Sequence, residues 1–414
     1  MASIGFVSLR RLLAVVAFAC VSLAVAAGLP APGRADEPKL PSQFVWFGTY
    51  TGGPAKSEGI YVSRFDAATG KLSVPELAAE TKNPSFLALH PKLPVLYAVS
   101  EVADTDGKPG GAIVSYAIDE QTGRLTKKNQ QSSGGTSPCH LSVDRTGRVV
   151  LASNFGSGSV ICLGLEADGS LKPVVEGTPG GFIQHEGNGD APQKQLVPRG
   201  HSIYPSPDGR FALTCDLGLD KVFVHALDVG KATLAPHGFG ATKTGAGPRH
   251  FALHPSGRFG YAVNEKDFTV TAFAFDTQSG TLAPFQTLST LPADVTDTKG
   301  MSTAEIVVHQ SGKFAYASNR GHHSIAMYAV DDSDGRLAFL GVEPIRGKTP
   351  RNFVLDPSGT FLLAGGQDSG TVTVFAIDQA TGKLSHTGQS LDVPAPVCIR
   401  FRHASAPSPA TEPR

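Results

Sequence analysis

One unit recurs along the chain and constrains the fold more strongly than any other feature of the sequence. Each copy has a strand-like segment, a turn rich in Gly, Pro, Ser or Asp, and a second strand-like segment that ends in polar residues. A third segment of alternating apolar residues follows, and a fourth comes after another turn. The six full copies begin at Pro84, Pro138, Gly200, Pro248, Thr303 and Pro350. Their spacing of about 45 to 60 residues is that of propeller blades, and no helical pattern intervenes that would indicate βαβ units.

The two ends of the repeat region carry the parts of a seventh unit. Pro396–Phe401 has the pattern of a first strand with nothing after it, whereas Phe44–Tyr50 has the pattern of a second strand. Gly59–Leu72 then supplies the third and fourth strands. We therefore predict an all-β fold, a seven-bladed β-propeller closed by N- and C-terminal strands in one blade. Such closure removes the exposed sheet edges of an open array.

The N-terminal segment is typical of an export signal. Arg10 and Arg11 precede an apolar run over residues 12–27 that offers small residues for cleavage. We expect a periplasmic or secreted protein with no membrane attachment once the signal is removed. The predicted organisation is a secretion signal at 1–27, a linker at 28–41, the propeller domain at 42–402 and a disordered tail at 403–414.

Charge and cysteine content exclude several classes of partner. The 36 Lys and Arg residues balance 36 Asp and Glu residues, so the chain lacks the field that attracts nucleic acid or anionic lipid. Beyond the signal, the cysteines are Cys139, Cys162, Cys215 and Cys398. Each lies in an apolar strand-like segment without CxxC or CxxH spacing, which favours buried free thiols over disulfides or a zinc site. We predict no cofactor and no metal, a small-molecule partner and a monomer.

Polar residues concentrate at one end of the repeat. Because successive strands run antiparallel, the starts of first strands and the ends of second strands meet at the same end of the propeller. The candidate binding residues at these positions are His140, Arg249, His201, Glu305, Arg351, Glu101, Asn154, Asp216, Glu265, Arg320 and Gln367. Loops held by a rigid frame are common locations for ligand sites. The same groups could instead pair with one another and close the channel.

The residue types at this end narrow the chemistry. Arg249, Arg320 and Arg351 suit bidentate binding of a carboxylate or phosphate. His201 and the carboxylates beside it are candidates for proton transfer, and they could also bind a divalent metal, although no tight ligand spacing supports one. The sequence contains no G-x-S-x-G elbow, which argues against an acyl-enzyme and for direct attack by an activated water.

Four short motifs lie at the same end: GHS at Gly200, GPRH at Gly247, VNE at Val263 and SNR at Ser318. With their surroundings, they resemble the seven-bladed propeller lactonase family, which includes 6-phosphogluconolactonases and carboxy-muconate lactonizing enzymes. The resemblance runs from about Phe44 to Phe401. It implies His201 and Glu265 as the acid/base pair, and Arg249 and Arg320 as anion binders.

One position departs from the family pattern. Members often carry a second histidine two places before the first, where this chain has Arg199, which we consider a candidate to bind a substrate anion. The segment from Gly177 to Pro198, which includes His185 and Gln195, could fold over the site as a lid or form a plain surface loop.

The predicted activity is hydrolysis of a sugar lactone or aldono-lactone by an activated water, with His201 or Glu265 as the base. Two alternatives stay open. One is a cycloisomerase of the carboxy-muconate type, which adds no water, and the other is a non-catalytic envelope propeller that binds a carbohydrate or peptide. Export would separate the chain from cytoplasmic 6-phosphogluconolactone, so an unphosphorylated aldono- or uronolactone is also open.

Overall fold

The computed structural model describes residues 43–105, 107–173, 181–187 and 197–402, and the regular elements within these ranges are β-strands. The predicted signal, linker and tail lie outside the described residues and stay predictions. Within the described ranges, no helical segment has the length and apolar character needed to cross a bilayer.

The described strands form seven antiparallel blades. The blade that contains both ends of the propeller is built from β1 (Gln43–Thr49), β2 (Gly59–Asp66), β3 (Lys71–Leu72), β4 (Glu76–Glu80) and β31 (Pro396–Phe401). The second blade contains β5 (Leu87–Leu89), β6 (Val95–Ser100), β9 (Ala112–Ile118) and β10 (Leu125–Ser132), with a small hairpin of β7 (Asp104–Thr105) and β8 (Lys108–Pro109) inserted before β9. The third contains β11 (Pro138–Val143), β12 (Val149–Asn154), β13 (Ser159–Gly164) and β14 (Phe182–Gln184).

The other four blades follow the same plan. The fourth contains β15 (Gly200–Pro205), β16 (Phe211–Asp216), β17 (Lys221–Asp228) and β18 (Thr233–Ala241). The fifth contains β19 (Pro248–Leu253), β20 (Phe259–Asn264), β21 (Thr269–Asp276) and β22 (Thr281–Ser289). The sixth contains β23 (Ser302–Val308), β24 (Phe314–Arg320), β25 (Ser324–Val330) and β26 (Leu337–Pro344). The seventh contains β27 (Pro350–Leu355), β28 (Phe361–Gly366), β29 (Thr371–Ile377) and β30 (Leu384–Asp392).

The predicted closure is confirmed. Strand β1 pairs on one side with β2 and on the other with β31, with Trp46 opposite Arg400. The first strands of all seven blades also contact one another in an unbroken ring, β5, β11, β15, β19, β23, β27 and β31. This ring surrounds the propeller axis, so residues at corresponding positions of the first strands face a common centre.

The core lies between neighbouring blades, where apolar faces of adjacent sheets meet. Tyr261 of the fifth blade, for example, packs in one cluster with Ile306 and Tyr328 of the sixth. The four cysteines named above are free and buried, as predicted. Because each blade can bury its faces only against its neighbours, the repeat is stable only as a closed array.

A second set of contacts joins the blades at the end opposite the polar residues. An aromatic side chain of a second strand donates a hydrogen bond to a turn glycine carbonyl in the next blade, at 2.8–2.9 Å in each case. The pairs are Trp46 with Gly123, Tyr97 with Gly169, Tyr261 with Gly335 and Tyr316 with Gly382. Gly382 has φ of 71°, and a Cβ there would lie 2.3 Å from the Phe314 ring, so only glycine fits. These contacts are structural.

Candidate active site

β-Bulges near the start of the first strands carry three of the predicted site residues. In β15, Gly200 lies opposite Asp216 and Ser202 opposite Cys215, which makes His201 the extra residue of the bulge. Arg249 and Arg351 occupy the same bulged position in β19 and β27. Bulges redirect side chains and are common beside active sites, so the repeat provides a bulged position in several blades for a functional residue.

Glu265 and two arginines form an ionic cluster. One carboxylate oxygen, Oε2, lies 2.9 Å from Arg249 Nε and 2.9 Å from Arg320 Nη2. Arg249 also donates to the Ala304 carbonyl at 2.6 Å, and Arg320 to the Thr303 carbonyl at 2.8 Å. The Arg249 side chain is only 2% exposed and Glu265 is 26% exposed, so the cluster is buried on one side and open on the other. We call the end of the channel with His201, Arg249, Glu265 and Arg320 the mouth.

Burial disfavours the positive charges of Arg249 and Arg320 in this cluster. Burial, followed by the neighbouring Arg249 charge, lowers the pKa of Arg320 to about 10, and burial also lowers the pKa of Arg249. Arg320 Nε has no hydrogen-bond partner, and Arg249 Nε, although close to Glu265, is not aimed at an acceptor. Buried donors without acceptors cost free energy, which an incoming oxygen atom would recover.

His201 is neutral in this environment. Burial, with the positive charge of Arg249 next, lowers the pKa of His201 well below its usual value. Its ring packs against Phe155 and His250, with centroids 5.5 and 5.3 Å apart, and its Nδ1 lies 3.8 Å from Cys139 Sγ. Burial raises the pKa of Cys139, so the thiol stays protonated and is a poor nucleophile. The imidazole is therefore unprotonated and available to accept a proton, while the neighbouring guanidinium groups disfavour its charged form.

Tyr50 joins two predicted residues on another side of the mouth. Its hydroxyl accepts a hydrogen bond from Arg351 Nη2 at 2.8 Å and donates to Glu101 Oε2 at 2.9 Å. The Arg351 guanidinium also lies over the Tyr50 ring, 5.1 Å from its centroid, and Ser85 donates a second hydrogen bond to Glu101. Tyr50 is not among the residues predicted from the sequence, although it follows the second strand of its blade at the position that Glu101 occupies in the next blade.

Glu305 and His140 belong to a deeper tier, each at a first-strand position one residue beyond the bulge. His250 Nδ1 lies 2.8 Å from Glu305 Oε1, and Asn352 donates to Glu305 Oε2. Burial raises the pKa of Glu305 to about 7. The His140 and His250 rings are 5.4 Å apart, and both Nε2 atoms are buried without partners. Through these contacts, Glu305 connects the sixth blade to the fifth and seventh blades.

Asn154 and Asp216 end their second strands and bond within the frame. The Asn154 amide donates to the Ser133 carbonyl at 2.9 Å, joining its blade to the preceding one. Asp216 Oδ1 accepts hydrogen bonds from the backbone N–H groups of Arg199, Gly218 and Leu219 at 2.8–3.0 Å. Both residues are fully buried. The second strands contribute polar groups to the mouth from the following position, which Glu101, Glu265, Arg320 and Gln367 occupy.

Arg199 and the segment before it also contact the frame. Arg199 Nη1 donates to the Gly156 carbonyl at 2.7 Å, and its guanidinium lies over Phe155. Phe182–Gln184 is β14, the outer strand of the third blade, and His185 is buried with Nδ1 2.7 Å from Asp216 Oδ2. Over residues 181–187 the segment is therefore neither a lid nor a plain surface loop. Gln195 lies outside the described residues.

Two cavities adjoin the ring of first strands. The larger, about 770 Å³, lies at the same end of the propeller as the mouth and is lined by Tyr50, Gln367 and the loop after β1. The smaller, about 480 Å³, lies at the other end, and its walls include Tyr204, Glu305 and Arg400. Among the described residues, no group of three or more His, Cys, Asp or Glu side chains is arranged to hold a metal ion.

The described strands form a seven-bladed β-propeller with a cluster of arginine, glutamate and histidine side chains at one end. The chain belongs to the lactonase family of seven-bladed β-propellers, whose family model matches residues 44–401. A 6-phosphogluconolactonase of Bacillus subtilis (strain 168) is 37% identical over 359 residues, which cover 86% of this chain and 98% of the relative. A 6-phosphogluconolactonase of Formosa agariphila is 33% identical, over 71% of this chain and 81% of the relative.

Solved structures agree with this assignment. The periplasmic gluconolactonase of Pseudomonas aeruginosa superposes with a TM-score of 0.79 at 33% identity, over 88% of this chain and all of the neighbour.

Proposed function

We propose that the protein hydrolyses a sugar lactone at the mouth. The observation that carries the proposal is the placement of a neutral His201 beside Arg249 and Arg320, which Glu265 holds together at 2.9 Å from each. The names of the family members, 6-phosphogluconolactonase and gluconolactonase, support the substrate class. A carboxylic-ester hydrolase acting on a cyclic ester is the reaction class that these groups suit.

His201 is the proposed base. Its lowered pKa keeps the imidazole unprotonated at neutral pH, as a proton acceptor requires. The Glu265 carboxylate is already bound to two guanidinium groups, both at 2.9 Å from the same oxygen. Glu265 therefore positions Arg249 and Arg320.

The proposed hydrolysis proceeds by addition of water to the lactone carbonyl, followed by opening of the ring. A water oxygen attacks the lactone carbonyl carbon while His201 takes the water proton. The carbonyl oxygen becomes an oxyanion that Arg249 and Arg320 stabilise, a pre-organised electrostatic role. The ring C–O bond breaks, and the leaving alkoxide takes the proton from His201. The net reaction consumes one water and yields a hydroxy acid.

The proposal extends to the setting of the enzyme. We expect a monomer that acts on a small molecule outside the cytoplasm. The predicted signal at 1–27 supports this location, as does the periplasmic neighbour from Pseudomonas aeruginosa. Fractionation of expressing cells tests it, because an enzyme confined to the cytoplasm would contradict export.

An Arg249→Ala variant tests the proposed role of the mouth. Loss of an oxyanion donor typically costs about 100-fold or more in rate. The matched control is Arg346→Ala, because Arg346 also pairs with a glutamate at 2.8 Å but its side chain is 48% exposed. Lactone hydrolysis at the wild-type rate by Arg249→Ala would overturn the assignment. A product of unchanged mass would indicate a cycloisomerase, and binding without turnover would indicate a non-catalytic propeller.

A further inference from the structure

The smaller cavity lies at the end of the channel opposite the mouth, and packed side chains separate the two. The Phe86 ring packs against the rings of His140 and His250, with centroids 4.1 and 5.7 Å apart. The Tyr204 ring lies on the cavity side of this group, 4.6 Å from His140, and forms part of the cavity wall. A molecule in this cavity of about 480 Å³ would therefore be separate from the proposed reaction centre.

The wall of this cavity is mainly apolar. One position of the first strand, two residues beyond the deeper tier, lines it in five of the seven blades: Tyr204, Ala252, Val307, Val354 and Arg400. Ala252, Val307 and Val354 are partly exposed there. Such side chains gain free energy when an apolar group covers them. The turn glycines that join the blades at this end do not line the cavity, so their contacts leave its centre open.

Arg400 provides a positive charge with an unused donor in this wall. Its guanidinium lies over the Phe86 ring, 4.4 Å from the centroid. Nε donates to the Leu87 carbonyl at 3.1 Å and Nη1 to the Ile399 carbonyl at 2.7 Å. Nη2 has no hydrogen-bond partner within the described part of the chain, is not fully buried, and the side chain forms no ion pair there. Two nitrogen atoms thus fix the guanidinium, and the third is available to an anion.

Two further groups of the wall favour an anion. The Tyr204 hydroxyl lies close to Ser202 but forms no well-aligned hydrogen bond with any described residue. Burial raises the Tyr204 pKa, so the hydroxyl keeps its proton and can donate it to an acceptor. Arg145 lies at the exposed rim, where its Nη1 donates to the Pro207 carbonyl at 3.3 Å, and adds a second positive charge.

The opposing negative charge is small in mildly acid solution. Glu305 carries the one carboxyl group among the described residues that line the cavity. Its oxygens face His250 Nδ1 and the Asn352 amide, and burial raises its pKa to about 7, so the group is mostly protonated at about pH 6. The aspartates of the adjoining turns do not line the cavity and accept hydrogen bonds from their own turns: Asp144, Asp208 and Asp356.

We infer that this cavity binds a small organic carboxylate with an apolar body, at a site independent of the proposed lactone hydrolysis. The carboxylate accepts hydrogen bonds from Arg400 Nη2 and the Tyr204 hydroxyl, and the apolar body covers Ala252, Val307 and Val354. Mainly apolar walls with a few convergent polar groups are typical of small-molecule sites of this volume. A fully polar anion would leave the apolar wall uncovered, and a neutral apolar molecule would leave the donors unpaired.

The test measures dissociation constants of hexanoate, acetate and hexanamide by ligand-observed NMR, at about pH 6 in a buffer free of carboxylates. Hexanoate should bind about tenfold or more tightly than acetate, which lacks the apolar chain, and than hexanamide, which lacks the charge. Arg400→Gln should weaken hexanoate binding about tenfold and leave hexanamide binding nearly unchanged. Val307→Phe, which fills the cavity without replacing a polar group, should weaken the binding of both.

A pair of arginines in one turn supplies the matched control. Arg145 and Arg148 are both exposed, but only Arg145 lines the cavity. Arg145→Gln should weaken hexanoate binding several-fold, whereas Arg148→Gln should leave it unchanged.

The outcomes distinguish this site from the mouth, which also carries arginines. Weaker hexanoate binding in Arg400→Gln and Val307→Phe, with Arg148→Gln unchanged, supports the site. No binding to the wild type, or an affinity that neither variant changes and that falls instead in Arg249→Ala, overturns it. If Arg400→Gln does not fold, Val307→Phe decides between these outcomes.

Discussion

Replacement of Glu265 by glutamine gives the sharpest test of how the mouth is built. The variant keeps the size of the side chain and removes the negative charge that Arg249 and Arg320 share at 2.9 Å. Two guanidinium groups, with side-chain exposures of 2% and 15%, would then face each other without a counter-charge. The variant should therefore be less stable than the wild type, and the arrangement of Arg249 and Arg320 should change.

The expected loss in the free energy of unfolding depends on how deeply the ion pairs of Glu265 are buried. Removal of one partner from a fully buried ion pair costs about 3–5 kcal/mol because it leaves an uncompensated charge. Glu265 is 26% exposed, so water reaches the vacated position and the expected loss is just below that range, about 2–3 kcal/mol. Glu343→Gln is the matched control: its carboxylate lies 2.8 Å from Arg346, whose side chain is 48% exposed. Such a surface pair is worth less than about 1 kcal/mol.

Chemical denaturation followed by tryptophan fluorescence measures this difference. The single tryptophan, Trp46, is fully buried in the closing blade, so its emission reports whether the propeller is closed. Glu265→Gln should lower the free energy of unfolding by at least about 1 kcal/mol more than Glu343→Gln does. Equal losses in the two variants would refute the view that Glu265 holds the two arginines together.

Three further predictions concern other parts of the structure. Because His201 acts as a neutral base with a lowered pKa, kcat/KM should stay constant as the pH falls through about 6.5 and decline only in more acid solution; an inflection at or above that pH would contradict its role. Burial raises the Glu305 pKa from 4.5 to about 7, so the native state holds this proton more tightly and stability falls as the pH rises across that window. Glu305→Gln should therefore gain up to about 3 kcal/mol relative to wild type between pH ~5 and pH ~8, measured by denaturation at both values, and a pH-independent difference would refute this. Tyr316→Phe, which removes the hydrogen bond to Gly382, should cost about 1 kcal/mol of stability and leave kcat unchanged; altered kcat would contradict a purely structural role.

The sequence was sufficient to predict the architecture because the repeat unit cannot bury its faces alone. The period of the unit and the unpaired strands at Phe44–Tyr50 and Pro396–Phe401 together required a closed ring, and the pairing of β1 with β31 confirms it. The chemistry of the mouth was less accessible. Which residue becomes the extra residue of a bulge, as His201 does, depends on strand register and not on local composition.

Two neighbouring positions at the ends of the second strands show where reasoning from residue type alone falls short. The last strand residue is buried and ties the frame, as Asn154 does, whereas the next residue faces the mouth, as Glu265 does. Successive side chains of a strand point to opposite sides, so alignment of the seven units by register would have separated these two positions. The same alignment places Tyr50 at the position of Glu101, although Tyr50 carries no charge. Contacts across blades, such as that between His250 and Glu305, need the three-dimensional ring.

Hydrolysis at the mouth requires that a water molecule be activated to attack the lactone carbonyl. The most direct measurement is turnover of a lactone panel in isotopically labelled water, with the uncatalysed rate subtracted. The product carboxylate of the wild type should carry the label, and the His201→Ala, Glu265→Ala double variant should show no turnover above background. An unlabelled isomer as product, or undiminished turnover in the double variant, would contradict it.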